Sequence, residues 1–156
     1  MRVCGLLFFA LIATHLTVAQ PFSVGHQSTT FYDAVRDRDI PVEIYYPADV
    51  SGDNVALTAT VGQFPTLAFG HGFVMGFDAY NYLGDYLVSQ GFIVVFPKTE
   101  GGILPSHLEF GKDLAFCLQQ MKASSLDETS IFAGRIAEKS GVLGHSVGGG
   151  AAFLPG

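Results

Sequence analysis

The run Gly141-Val142-Leu143-Gly144-His145-Ser146-Val147-Gly148-Gly149-Gly150-Ala151-Ala152 passes from a short apolar segment through a glycine-flanked serine into a stretch of small residues. Residues 141–144 predict a buried strand, and the residues from Ser146 onward predict the start of a helix. Between them, Gly144-His145-Ser146-Val147-Gly148 fits G-x-S-x-G. In that pattern a strained strand-to-helix turn lifts the serine hydroxyl clear of a sheet, which makes Ser146 a candidate nucleophile. The flanking glycines are required because a side chain there would collide with the neighbouring strand and helix. A helix starting at this point aims its first amides and the positive end of its dipole at the serine, so the Val147 N–H is a candidate oxyanion donor.

Upstream, the order of elements gives that turn a setting. Phe22 to Phe31 alternates roughly and predicts an edge strand, and Asp33 to Asp39 is a charged turn. Ile40 to Pro47 is a clearer, Pro-bounded strand. Pro65-Thr66-Leu67-Ala68-Phe69-Gly70 and Phe92-Ile93-Val94-Val95-Phe96-Pro97 read as strands buried on both faces. Between these two, Tyr80, Leu83, Tyr86, Leu87 and Gln90 recur at helical spacing, and Gly91 closes the helix. A second helix is expected over His107 to Met121, with Leu108, Leu114, Ala115, Leu118 and Met121 on one face and a polar stop at Lys122 to Ser130. Alternating strands and helices after a β-rich start predict an α/β fold with a mostly parallel sheet and crossover helices. Chemistry in such sheets sits at the carboxyl ends of the strands.

Composition narrows the class. The 156 residues are 49% hydrophobic and 14% charged, a core-forming profile, and the 19 glycines and 14 phenylalanines suit tight turns between apolar strands. The net charge of −6 comes without any block of like charge, so nothing points to nucleic acid or to an anionic membrane surface. Met1 to Ala19 has a short basic start, an apolar run from Leu6 to Ala13 and a small residue at Ala19, which predicts a signal peptide over residues 1–19, export to the periplasm or medium, and no stable membrane span after cleavage. Residues 20–156 then form part of a single domain. Cys4 leaves with the signal, and Cys117 remains as a lone, helix-borne thiol expected to be buried.

Phe69-Gly70-His71-Gly72-Phe73, at the end of the Pro65 strand, occupies the place from which a second oxyanion donor should come. The expected donor is the Phe73 N–H, with Gly72 as the nearest alternative. His71 follows the wrong strand to be the catalytic base and is expected to brace this loop. His145 adjoins the serine on a tight turn, points elsewhere, and is expected to pack beneath the turn. His26 and His107 read as surface histidines, and no metal-ligand spacing or phosphate-binding loop suggests a metal or cofactor. Phe73, Phe77, Tyr80 and Tyr82 are candidates to line an apolar pocket, against the plainer role of core.

Three stretches together, Pro41 to Pro47, Gly70-His71-Gly72-Phe73 and Gly144 to Phe153, resemble the branch of the α/β-hydrolase superfamily that includes chlorophyllase-like esterases, platelet-activating-factor acetylhydrolase-like enzymes and cutinase-like polyester hydrolases. The resemblance implies attack of Ser146 on a carboxylic ester, small or polymeric, with Phe73 and Val147 as the oxyanion hole and an acyl-enzyme intermediate. It also implies the chain order serine, then Asp or Glu, then His. Val147 to Gly156 contains neither an acid nor a histidine, so the sequence is expected to be an N-terminal portion whose triad partners and C-terminal strands lie outside it. The alternatives are a non-catalytic binding protein built on the same sheet, or an acyltransferase using the same nucleophile.

Overall fold

A computed structural model describes residues 21–154; the expected signal peptide lies outside the described residues. The chain opens with a long antiparallel pair, β1 (Ser23–Asp33) and β2 (Arg38–Ala48), in register from Ser23 opposite Ala48 to Asp33 opposite Arg38. There follow β3 (Gly52–Asp53), β4 (Phe64–Gly70), a single 3-10 turn (Phe77–Tyr80), α1 (Asn81–Ser89), β5 (Ile93–Pro97), α2 (His107–Leu126), β6 (Ile136–Gly144) and α3 (Val147–Ala151). The six strands form one sheet in the order β3-β1-β2-β5-β4-β6. Strand β2 joins β5 antiparallel, and β5, β4 and β6 run parallel to one another, so the mixed sheet is mostly parallel, as expected.

The period of two along each strand sorts the core into two layers. Ile40, Val42 and Ile44 of β2 and Ile93 and Val95 of β5 face α2, while Tyr45, Val94 and Phe96 face α1. All five residues of β5 are buried, which is why this strand reads in the sequence as an unbroken apolar run. Each such side chain contributes about 1.5–3 kcal/mol by leaving water.

Helix α2 departs from its sequence reading in two ways. Its buried face is Phe110, Leu114, Cys117 and Met121, spaced by four, three and four, while Leu108 in the first turn is 47% exposed. The helix also runs on to Leu126 through the polar residues expected to end it, where Ser125 ties the last turn to the start of β6: its carbonyl accepts from the Gly134 N–H at 2.8 Å and its hydroxyl from the Ile136 N–H at 3.3 Å. At its start Ser106 caps the Glu109 N–H at 3.2 Å. Asp113 is fully buried on this helix and is met by Arg36 at 2.7 Å, Arg38 at 2.8 Å and the Thr99 hydroxyl at 2.6 Å. The charged turn after β1 is thereby locked onto α2.

Strand β6 begins at Ile136, ahead of the expected residues 141–144. It pairs only with β4 and is the outermost strand among the described residues, with Leu143 38% exposed. His26 departs from its reading as a surface histidine. It is half-buried between two carboxylates, 2.8 Å from Glu43 and 2.7 Å from Asp53, because pairing of β1 with β2 and β3 brings both acids beside it.

Candidate active site

Parallel pairing of β4 with β6 places Gly70 opposite Gly144, so the two loops carrying the candidate residues leave the sheet side by side at its carboxyl edge. After Gly144 the backbone turns sharply. Ser146 sits at φ 54° and ψ −113°, a conformation an L-residue adopts only under strain of about 1–3 kcal/mol, and its side chain is exposed. Helix α3 starts at the next residue, and its serine N-cap makes no side-chain capping bond, which leaves the hydroxyl uncommitted to the helix.

The turn is latched to β4. The His145 N–H donates to the Gly70 carbonyl at 3.0 Å, and the Gly148 N–H donates to the His71 carbonyl at 3.0 Å. This closeness requires glycine: a Cβ on Gly148 would lie 2.1 Å from the Gly70 oxygen.

The β4 loop folds into its own turn, in which the Met75 N–H donates to the Gly72 carbonyl at 3.2 Å. Val74 takes φ 50°, an uncommon conformation for a β-branched residue and a second point of strain, within the β4 loop. Phe73 is 51% exposed at the start of this turn. The Gly72 N–H donates to the Tyr80 hydroxyl at 3.0 Å, so the alternative oxyanion donor is already engaged. Neither the Phe73 nor the Val147 N–H has a hydrogen-bond acceptor among the described residues.

His71 is buried and braces the loop. Its Nδ1 is 3.0 Å from the Gly72 carbonyl oxygen, its Nε2 is 2.9 Å from that of Thr99, and its ring rests against Phe110 with centroids 4.8 Å apart. The Thr99 hydroxyl in turn donates to Asp113. The His145 ring turns to the β4-loop side, where its Nδ1 lies 2.9 Å from the Tyr80 hydroxyl, and it is exposed among the described residues; the expected packing beneath the turn is not what this contact shows. His107 is exposed beside Gly150. Among the described residues, no histidine or carboxylate hydrogen-bonds the Ser146 hydroxyl.

Two cavities flank the β4 loop. One, of about 370 Å³, lies beside the serine turn and is lined by Phe69, Met75, Tyr80, Tyr82, Leu83 and His145, with no Lys, Arg, Asp or Glu. The other, of about 250 Å³, is lined by His71, Val74, Met75, Phe77, Asp78 and Lys98. Of the aromatic residues singled out as pocket candidates, Tyr80 and Tyr82 line the first and Phe77 the second, while Phe73 lines neither. The role of Tyr80 in joining the two loops escapes sequence reading, since its partners Gly72 and His145 lie 8 and 65 residues away.

The family model for chlorophyllase matches residues 40–154, a span that takes in all but the first two residues of β2, both loops and the serine turn. A search of curated proteins finds no match. The match covers well over half of the chain and agrees with the resemblance of its motifs and with its mostly parallel sheet: the chain belongs to the chlorophyllase family of the α/β-hydrolase superfamily and is a hydrolase of the α/β type.

Proposed function

We propose that this hydrolase cleaves carboxylic esters through an acyl-enzyme on Ser146. The observation that carries the proposal is the Ser146 backbone, strained at φ 54° at the carboxyl edge of the sheet with its side chain exposed and latched beside the β4 loop. The strain is maintained by two backbone hydrogen bonds and a glycine contact, and a fold has little reason to sustain it except to present the hydroxyl.

In this mechanism the Ser146 oxygen attacks the ester carbonyl as a histidine general base takes its proton. The family resemblance puts that histidine, and the Asp or Glu that orients it, after Ser146 in chain order. The carbonyl oxygen gains negative charge and is met by the free N–H groups of Phe73 and Val147, which are fixed before reaction and so need no reorganisation. Collapse breaks the bond to the alkoxy oxygen, which leaves as the alcohol carrying the proton from the histidine. Water then attacks the acyl-serine by the same sequence, releasing the acid and restoring the serine. The uncharged cavity beside the turn accommodates an apolar part of the ester. Export after removal of residues 1–19 belongs to the same proposal and predicts a mature N-terminus near Gln20 by Edman sequencing of the exported protein.

A diethyl p-nitrophenyl phosphate challenge tests the mechanism. The protein expressed from its full-length gene should release one equivalent of nitrophenol and carry a diethylphosphoryl group on the peptide containing Ser146. Modification at another residue, or none, would count against the serine mechanism and favour a binding role.

A further inference from the structure

We infer that Tyr80 is a positioning residue for the oxyanion hole, holding the β4 loop and the serine turn in register through its hydroxyl. The inference rests on the serine-esterase proposal above and goes beyond it by naming a residue outside both loops on which the hole depends.

Peptide planarity supplies the first step. The Gly72 C=O and the Phe73 N–H share one peptide plane and point in opposite directions. The Gly72 oxygen accepts from the Met75 N–H at 3.2 Å and lies 3.0 Å from His71 Nδ1. Holding that oxygen on one side aims the Phe73 N–H out of the other. What remains is the placement of Gly72 itself, about whose Cα that plane turns; the preceding peptide is anchored there, because the Gly72 N–H donates to the Tyr80 hydroxyl at 3.0 Å.

The same hydroxyl reaches the other half of the hole. A phenol oxygen has one proton and two lone pairs. With one lone pair taken by Gly72, the oxygen keeps its proton and a second lone pair for His145 Nδ1 at 2.9 Å and the Met75 sulfur at 3.2 Å, so either tautomer of His145 completes the link. His145 immediately precedes Ser146, so a single oxygen atom links the residue that precedes one donor to the residue that leads into the nucleophile and the other donor.

The ring is in turn immobile. Tyr80 is 5% exposed, closes the 3-10 turn before α1, and lies against Phe69 of β4 with centroids 4.7 Å apart. Its position is therefore set by the sheet, and the two loops take their spacing from it.

Tyr80→Phe keeps the ring and removes only the hydroxyl. In the protein expressed from its full-length gene, kcat on p-nitrophenyl butyrate should fall roughly 10- to 100-fold, the penalty for a misplaced oxyanion donor, with KM within about twofold. The inhibition constant of an alkyl trifluoromethyl ketone, whose tetrahedral adduct places an oxyanion in the hole, should rise by the same factor. A merely structural role would lower the melting temperature and leave both numbers alone. His145→Ala removes one end of the link and leaves the Tyr80 ring in place; it should lower kcat by a smaller factor, and Tyr80→Phe should cost less in that background than alone. A folded Tyr80→Phe with wild-type kcat and inhibitor affinity overturns the inference, as does a His145→Ala protein with unchanged kcat if Tyr80→Phe does not fold. Ser146→Ala serves as the control: loss of activity there beside a wild-type Tyr80→Phe sinks only the positioning role, whereas an active Ser146→Ala sinks the serine mechanism and the positioning role together.

Discussion

Replacing Gly148 by alanine should unlatch the serine turn from β4. The added Cβ would lie 2.1 Å from the Gly70 oxygen, 2.2 Å from its carbonyl carbon and 2.7 Å from its Cα. All three are backbone atoms, so no rotamer relieves the clash, and α3 must withdraw by more than about 1 Å. The hydrogen bond from the Gly148 N–H to the His71 carbonyl is stretched by the same movement. Overpacking of about 2 kcal/mol and a lost hydrogen bond of about 1 kcal/mol give a destabilisation near 3 kcal/mol, or roughly 10 °C in melting temperature for a domain of this size. Ester hydrolysis should fall about 100-fold, since an ångström of misplacement at the reacting centre costs that much. Gly150→Ala, two residues on, is the internal control. Its Cβ meets only the exposed His107 ring, at 3.1 Å, which can swing aside. Removing a helical glycine should then stabilise the protein by about 0.5 kcal/mol. Scanning fluorimetry and initial rates on the three proteins decide the matter. A Gly148→Ala protein melting within about 2 °C of wild type with unchanged rate, or a Gly150→Ala protein equally damaged, would refute the reasoning.

Two further predictions concern the frame around the site. Asp113→Ala removes the buried acceptor shared by Arg36, Arg38 and Thr99; because both arginines keep other carboxylates, Asp33 and Glu109 for one and Glu100 for the other, the loss should lie near the low end of the range for broken buried pairs, about 3 kcal/mol by urea unfolding, and a loss below about 1 kcal/mol would mean the cluster is not coupled to folding. Burial pushes the Glu43 carboxyl up, but hydrogen bonds from Lys98, Ser28 and His26 outweigh it and hold the group below the ordinary carboxylate range. Glu43 therefore adds stability that is present above the ordinary value of 4.5 and lost as pH falls through the lowered one. Glu43→Gln should be less stable than wild type at neutral pH and show a shallower loss on acidification; parallel curves would contradict this.

The parts of this protein legible in its sequence are those governed by local pattern. Strand β5 is apolar throughout because it is covered on both faces, and β2 alternates because its odd and even residues serve different layers. The serine turn is legible because its glycines answer to backbone collisions that no other residue avoids. What the sequence hides depends on partners far along the chain. On α2 the buried residues Phe110, Leu114, Cys117 and Met121 share one helical face, and Leu108 falls about 150° from it at 3.6 residues per turn; Leu118 and Ala115, which lie between the two directions, make the apolar stripe look broader than the face that meets the sheet. Asp113 in mid-helix reads as solvated until the turn after β1 brings two arginines to it. His26 reads as a surface residue until two strands deliver carboxylates to both its ring nitrogens. Tyr80 carries a helical spacing signal and a role in the site that rests on one hydroxyl oxygen.

The most direct experiment compares p-nitrophenyl ester hydrolysis by the exported protein, expressed from its full-length gene, with that of its Ser146→Ala counterpart. Loss of hydrolysis to the uncatalysed rate in a protein that still melts cooperatively near the wild-type temperature is the outcome expected of an acyl-enzyme on Ser146. Equal activity in the two proteins would contradict it and leave the strained turn without the chemistry proposed for it.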